Sequence, residues 1–192
     1  MSDKAERKKK LIRDTAREVF IRKGFKDVTM KDIAQTAGIS RGGLYLYYSS
    51  TEELLLDVLR IESAESDDTF ETAISRRAAA ADILLLFLNE QKKELLNQQD
   101  ALSVATYEYA FSTGPGESGF LRKRFQSAVR IIEHLIRAGI QNDEFYSSDP
   151  HAAATNIMFV IEGLKISAQT IGITEKEVDR EIRYLMDGLA RF

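Results

Sequence analysis

The sequence has no cysteine, no tryptophan, two prolines (Pro115 and Pro150) and two histidines (His134 and His151). Without cysteine there are no disulfides, thiolate metal centres, iron–sulfur clusters or cysteine nucleophiles, and the chain suits a reducing compartment. Two histidines do not make a histidine-rich metal site, so no metal and no cofactor is expected. The longest apolar run, from Ala78 to Leu88, is interrupted by Asp82 and falls short of a membrane span. Lys8, Lys9 and Lys10 are followed by Leu11 and Ile12 and then at once by Arg13 and Asp14, which leaves no signal-peptide core. The expectation is a soluble, cytoplasmic protein, and 44% hydrophobic residues are enough to bury a core.

The net charge is small, −3, but the charges are unevenly placed. Residues 1–50 hold 12 Lys+Arg against 6 Asp+Glu, a balance of +6, and the remainder holds 15 against 24, a balance of −9. The first quarter is a basic module on an acidic body, and a basic module points to an anionic partner. The Lys8–Lys10 run by itself is no more than a solvated helix end.

Apolar residues recur at spacings of three and four, and the fold class is all-α. Leu11, Ile12, Thr15, Ala16, Val19 and Phe20 form the stripe of a first helix from about Lys4 or Glu6 to Lys23, stopped at Gly24 with Phe25 packing back. Thr29 with Asp32 has the form of a capping box, Ser40 can cap the next segment, and Ser50 with Glu53 repeats the device before Leu54, Leu55, Val58 and Leu59. Glu62, Glu65, Asp67, Asp68 and Glu71 read as the solvated face of a long connecting helix. Further helices are predicted over about Ala79–Gln98, Ala101–Phe111 and Phe120–Gln141, with a loop at Ser112–Gly119. Asp149 and Pro150 open another helix, and Thr174 with Glu177 opens the last, whose stripe runs Val178, Ile182, Leu185, Leu189, Phe192. The domains predicted are residues 1–50, extending to about 68 with the connecting helix, and 51–192.

The informative segment is residues 31–50 with its flank at Thr29. Ala34 is small where two helices must cross, Gly38 supplies a tight turn, and Ile33, Ala37, Ile39 and Leu44 form an apolar wedge against the first helix. Together they specify a helix-turn-helix whose second helix would face the major groove of DNA. Arg41 can reach a guanine edge or a phosphate, and Gly42 permits close backbone approach. Thr29 and Ser40 offer hydroxyls near phosphate oxygens, Tyr45 and Tyr47 offer phenolic donors, and Lys31, Lys10 and Arg13 add charge at the flanks. Tyr48 and Leu44 read as core. The tandem Gly42-Gly43 costs the recognition helix about 1 kcal/mol of propensity per glycine.

The run from Phe20-Ile21-Arg22-Lys23-Gly24-Phe25 through Thr29, Ile33-Ala34, Ala37-Gly38, Ser40-Arg41-Gly42, Leu44-Tyr45, Tyr47-Tyr48 and Glu52-Glu53-Leu54-Leu55 resembles the N-terminal DNA-binding domain of the TetR family of transcriptional regulators. The resemblance covers about a third of the chain. It implies an all-helical homodimer of about nine helices per subunit, with a C-terminal helical domain that binds a small-molecule effector and dimerises through its last two helices. It further implies a ligand-responsive regulator, in the usual case a repressor on a pseudo-palindromic double-stranded DNA operator, released when the effector shifts the fourth helix and changes the separation of the recognition helices. Carried over by position, the DNA contacts fall on Thr29, Ser40, Arg41, Gly42, Tyr45 and Tyr47. One departure is Thr51, where the family commonly has lysine, so one phosphate anchor is missing and Tyr47 and Lys31 must do more.

Phe87, Tyr107, Phe111, Phe125, His134 and Met158 lie on central helices at positions able to line an effector pocket, although aromatic and methionine residues at helical spacing serve equally as core. The two terminal helices carry more apolar residues than one face can bury, which predicts a four-helix dimer interface built on Ile157, Ile161, Leu164, Ile182, Leu185 and Leu189, with Ala153, Ala154, Gly163 and Ser167 allowing close approach. No nucleophile–base pair or metal cluster is apparent, and Gly114-Pro115-Gly116 lacks the lysine of a phosphate-binding loop, so an enzyme is not expected. The rival reading is a helical ligand-binding or adaptor protein whose DNA-binding module is no longer functional, favoured by Thr51 and the acidic body.

Overall fold

A computed structural model of the chain describes residues 3–75, 78–97, 102–114 and 119–190, residues 65–75 by their backbone only. The described residues form α1 (Asp3–Lys23), α2 (Met30–Thr36), α3 (Arg41–Tyr45), α4 (Thr51–Ser75), α5 (Ala80–Leu96), α6 (Ser103–Thr113), α7 (Gly119–Gln141), α8 (Pro150–Thr170) and α9 (Glu175–Asp187). No strand occurs among them, only one isolated bridge between Phe145 and Ala190. None of the described helices is long and apolar enough to cross a membrane.

The caps stand largely where the sequence places them, because a cap is a local bargain between one side chain and the first free amides of its own helix. Thr29 Oγ1 accepts from Asp32 N at 3.2 Å while Asp32 Oδ2 accepts from Thr29 N at 2.9 Å, a complete capping box. Thr174 and Glu177 make the same box on α9, and Asp149 accepts from Ala152 N at 3.0 Å ahead of Pro150. The start of α4 differs in half of the device. Ser50 Oγ accepts from Glu53 N at 3.1 Å, but the Glu53 carboxylate turns to the amide and hydroxyl of Ser49, both at 2.7 Å. The last helix also ends early: α9 stops at Asp187, and Leu189 lies beyond it in a turn whose carbonyl accepts from Tyr146 N at 2.8 Å. Gln98, Ala101, residues 115–118, Phe192 and the side chains of Glu65, Asp67, Asp68 and Glu71 lie outside the described residues.

The chain divides into two compact units, residues 1–65 with 99–120, and residues 66–98 with 121–192. In the first, Ile12, Ala16, Val19 and Phe20 of α1 form a core with Ile33 and Ala34 of α2, Leu44 of α3, Tyr48, and Leu54, Leu55, Val58 and Leu59 of α4, all buried. Leu102, Ala105 and Tyr109, on or just before α6, are buried in the same unit. The second unit packs α5, α7, α8 and α9 around Leu84, Leu88, Ile132, Ile136, Ala154, Ile157, Ile161, Val178, Ile182 and Leu189.

That core takes up the apolar stripes on which the dimer interface is expected. Ile157, Ile161, Ile182 and Leu189 are between 2% and 8% exposed inside their own protomer, and Leu164 and Leu185 pack partly buried against the same cluster. The most apolar stripe of a helix goes to the interior of its own subunit because that burial is gained first and everywhere along the helix. The stripe left open on α8 is Asn156, Phe159, Gly163, Ile166 and Thr170, spaced three and four apart, with Phe159 64% exposed. On α9 the open face holds Arg180 and Tyr184.

Candidate nucleic-acid interface

The first unit holds α3 by its buried side. Leu44 is fully buried, and Ser40 Oγ accepts from Gly43 N at 3.0 Å to start the helix. The turn before it closes on Gly38 at φ 64°, a left-handed backbone that other side chains strain to adopt. Gly38 N and Ile39 N bond back to Gln35 O and Ala34 O at 3.2 and 3.0 Å, which satisfies the carbonyls at the end of α2. With Leu44 turned inward, Arg41, Gly42 and Tyr45 are turned out and exposed, Lys31 is exposed near the start of α2, and Tyr47 is half-buried. Neither Arg41 nor Lys31 makes an ion pair among the described residues. The exposed edge therefore offers uncommitted cationic and phenolic donors.

Other predicted contacts have structural duties. The Thr29 hydroxyl donates to Asp32 Oδ2 at 2.6 Å, so its proton is already committed within the box, whereas the Ser40 hydroxyl keeps its proton while accepting from Gly43. Lys23 Nζ donates to Asp32 Oδ1 at 2.8 Å. That bond and those from Thr29 hold the Asp32 carboxyl well below the usual carboxylate range. These bonds thus contribute stability at neutral pH that is lost progressively as the pH falls from the ordinary carboxylate range down through that lowered value. Arg13 is drawn inward: its guanidinium lies 3.5 Å from Asp57, which also receives the Tyr48 hydroxyl at 2.6 Å. Burial first, and then the bond to Asp57, push the Tyr48 hydroxyl above its ordinary range, as befits a core residue. Lys9 stacks over the Tyr48 ring at 5.5 Å, and Lys10 pairs with Asp14 at 2.7 Å on the surface.

Two features lie outside the residues that the motif singles out. Leu46, directly after α3, is 84% exposed. The helical phase contains the signal, since two steps of about 100° from buried Leu44 lead to the opposite side. The second feature is α6, which reaches the turn after α1. Glu108 Oε2 accepts from Phe25 N at 2.6 Å and Lys26 N at 3.0 Å, the Tyr109 ring meets Phe25 edge-on at 5.3 Å, and the Tyr109 hydroxyl donates to Glu52 at 3.0 Å. Gly24, at φ 75°, gives this carboxylate room, because a Cβ there would collide with Glu108 Oε2. Glu108→Ala removes two charge-assisted bonds and is expected to lower unfolding stability by about 1–3 kcal/mol, read as an earlier thermal transition. An unchanged transition would mean that water replaces the carboxylate at no cost.

A profile described as "Bacterial regulatory proteins, tetR family" matches residues 12–58, and one described as "Tetracyclin repressor-like, C-terminal domain" matches residues 83–179. The chain belongs to the TetR family. It is 33% identical over 143 residues to the uncharacterised HTH-type regulator YfiR of Bacillus subtilis, covering 73% of this chain and 69% of that one. It is 35% identical over 139 residues to the HTH-type transcriptional regulator SrpR of Pseudomonas putida, covering 68% of this chain and 59% of that one. The structure of the transcriptional regulator FadR from Bacillus subtilis in complex with stearoyl-CoA superposes with a TM-score of 0.76 at 20% identity, over 93% of this chain and 97% of that one, a likeness of fold. The TetR-family chain is thus an all-helical DNA-binding transcriptional regulator.

The effector residues named from the sequence fall apart by environment. Phe87 and Met158 are buried in the second core and Phe125 packs on its edge, 5.5 Å from Phe159. Tyr107 is half-buried in the first unit. Phe111 is 75% exposed and His134 is exposed on α7. Their helices have the right periodicity, but each faces solvent.

Proposed function

We propose that this regulator is a ligand-responsive repressor that binds a pseudo-palindromic operator as a homodimer and is released by a small molecule. The observation that carries the reading is the outward face of α3, where Arg41 stands exposed beside Tyr45 and Gly42 on a basic module, without an ion pair among the described residues and with Lys31 at its flank. Arg41 would read a guanine edge or grip a phosphate, Gly42 would let the backbone approach, Ser40 and Tyr47 would donate to phosphates, and Lys31 would stand in for the anchor that Thr51 lacks. Thr29 would act through the start of α2, since its hydroxyl is committed to Asp32. The dimer would form through the open stripes of α8 and α9, with Phe159, Gly163, Ile166 and Tyr184 against their symmetry mates and Leu164 and Leu185 at the margin. The effector would enter the second unit near Phe87, Phe125 and Met158.

Selection of genomic fragments by the purified protein tests the reading. The expected result is a recurrent site of two inverted half-sites bound by one dimer, with neighbouring genes that point to the effector class. Fragments without a shared site would overturn it and favour the adaptor alternative.

A further inference from the structure

The outward face of α3 has one residue that neither the fold nor the polar contacts use. Helical geometry continues through Leu46, at φ −68° and ψ −19°. On this helix Arg41 with Tyr45, and Gly42 with Leu46, form two neighbouring rows one turn apart, and all four residues are exposed. Gly42 sits in ordinary backbone, and a Cβ built there would meet nothing within 4 Å. Neither packing nor conformation requires glycine at that position, although it costs the helix about 1 kcal/mol. The lack of a side chain instead lets an outside surface come close to this row, and the next residue along the row is Leu46. Its 84% exposure leaves a branched apolar side chain in water on the face that carries the cationic and phenolic donors. In the major groove the apolar group available to such a side chain is the C5-methyl of thymine.

We infer that Leu46 packs on a thymine methyl group in each half-site and is a specificity-determining residue of this regulator. The inference rests on the proposed entry of α3 into the major groove. Leu46 then selects T·A at one position, while Arg41, five residues back on the neighbouring row, supplies the polar readout.

The test uses the full-length protein and a duplex that it selects from a random pool. Each thymine is replaced singly by deoxyuridine, which removes only the methyl, and affinities of the wild type and Leu46→Ala are compared at one salt concentration. At one position per half-site, uracil should weaken the wild type about fourfold, the equivalent of ~0.8 kcal/mol for one methyl taken out of water. Leu46→Ala should bind the thymine duplex correspondingly less well and be indifferent to the exchange at that position alone. Because Leu46 is exposed, its thermal transition should match the wild type. Equal uracil effects in both proteins, a selected site without thymine, or equal weakening of Leu46→Ala on selected and unrelated duplexes would overturn the assignment while leaving operator binding intact. Failure to select any duplex would overturn the operator reading together with it.

Discussion

Arg41→Ala should sharply reduce discrimination between the operator and unrelated DNA while leaving the protein as stable as before. Arg41 is exposed and makes no ion pair among the described residues, so its removal takes nothing from the fold. A good bidentate contact to guanine is worth about 1–3 kcal/mol of discrimination. Two copies in a dimer give about 2–6 kcal/mol, or roughly thirtyfold to 10⁴-fold in the preference for the operator over other duplexes. The alternative role of the same side chain has a different signature. If Arg41 grips a phosphate, affinity falls equally for every sequence, and the dependence of binding on salt becomes shallower by about one unit for each phosphate released from its grip. Competition binding with operator and scrambled duplexes separates the two. Unchanged affinity for both would remove Arg41 from the interface.

Phe159→Glu is expected to have an effect of similar size by another route. Phe159 sits in the middle of the open stripe of α8 with Gly163 and Ile166, and Tyr184 is 77% exposed on α9. A carboxylate at the centre of a two-fold interface faces its own copy and loses water without gaining a partner, a cost of several kcal/mol. Sedimentation at micromolar protein should therefore show a dimer for the wild type and a monomer for Phe159→Glu. A monomer holds one half-site, and without the linked second half-site apparent operator affinity drops by about 10²- to 10⁴-fold. Since the residue is 64% exposed within the protomer, the variant should fold. A variant that remains dimeric would place the interface elsewhere, and a wild type that is monomeric would remove the paired geometry altogether.

The parts of this fold that are readable from the sequence are those whose cause lies within about one helical turn. The Thr29–Asp32 and Thr174–Glu177 boxes, the Asp149 cap with Pro150, and the turns at Gly24 and Gly38 each follow from a side chain or a missing side chain acting on its own neighbourhood. The turn residues and the buried Leu44 likewise make the outward side of the recognition helix readable. What escapes depends on contacts made across the chain. Glu108 reaches Phe25 across 83 positions of sequence, and nothing local announces that α6 packs with the N-terminal helices. The terminal helices are a second case. Periodicity identifies Ile157, Ile161 and Ile182 as apolar faces, but it does not say whether the facing surface belongs to the same subunit or to another. The structure commits those faces to the protomer core and leaves the less apolar row of Phe159, Gly163 and Ile166 open. Phe111 and His134 are a related case, since helical periodicity puts them on central helices without saying which face is covered.

The acidic body also acquires a physical role. A chain with net charge −3 approaches a polyanion only if its basic N-terminal module, residues 1–50, leads, and Arg41, Lys31 and Tyr45 are exposed on that module. Operator affinity of the wild type measured across a series of salt concentrations tests this most directly. The account predicts that the logarithm of affinity falls linearly and steeply with the logarithm of salt, with a slope near −0.9 for each phosphate neutralised and several phosphates per dimer. Affinity that does not change with salt would contradict it.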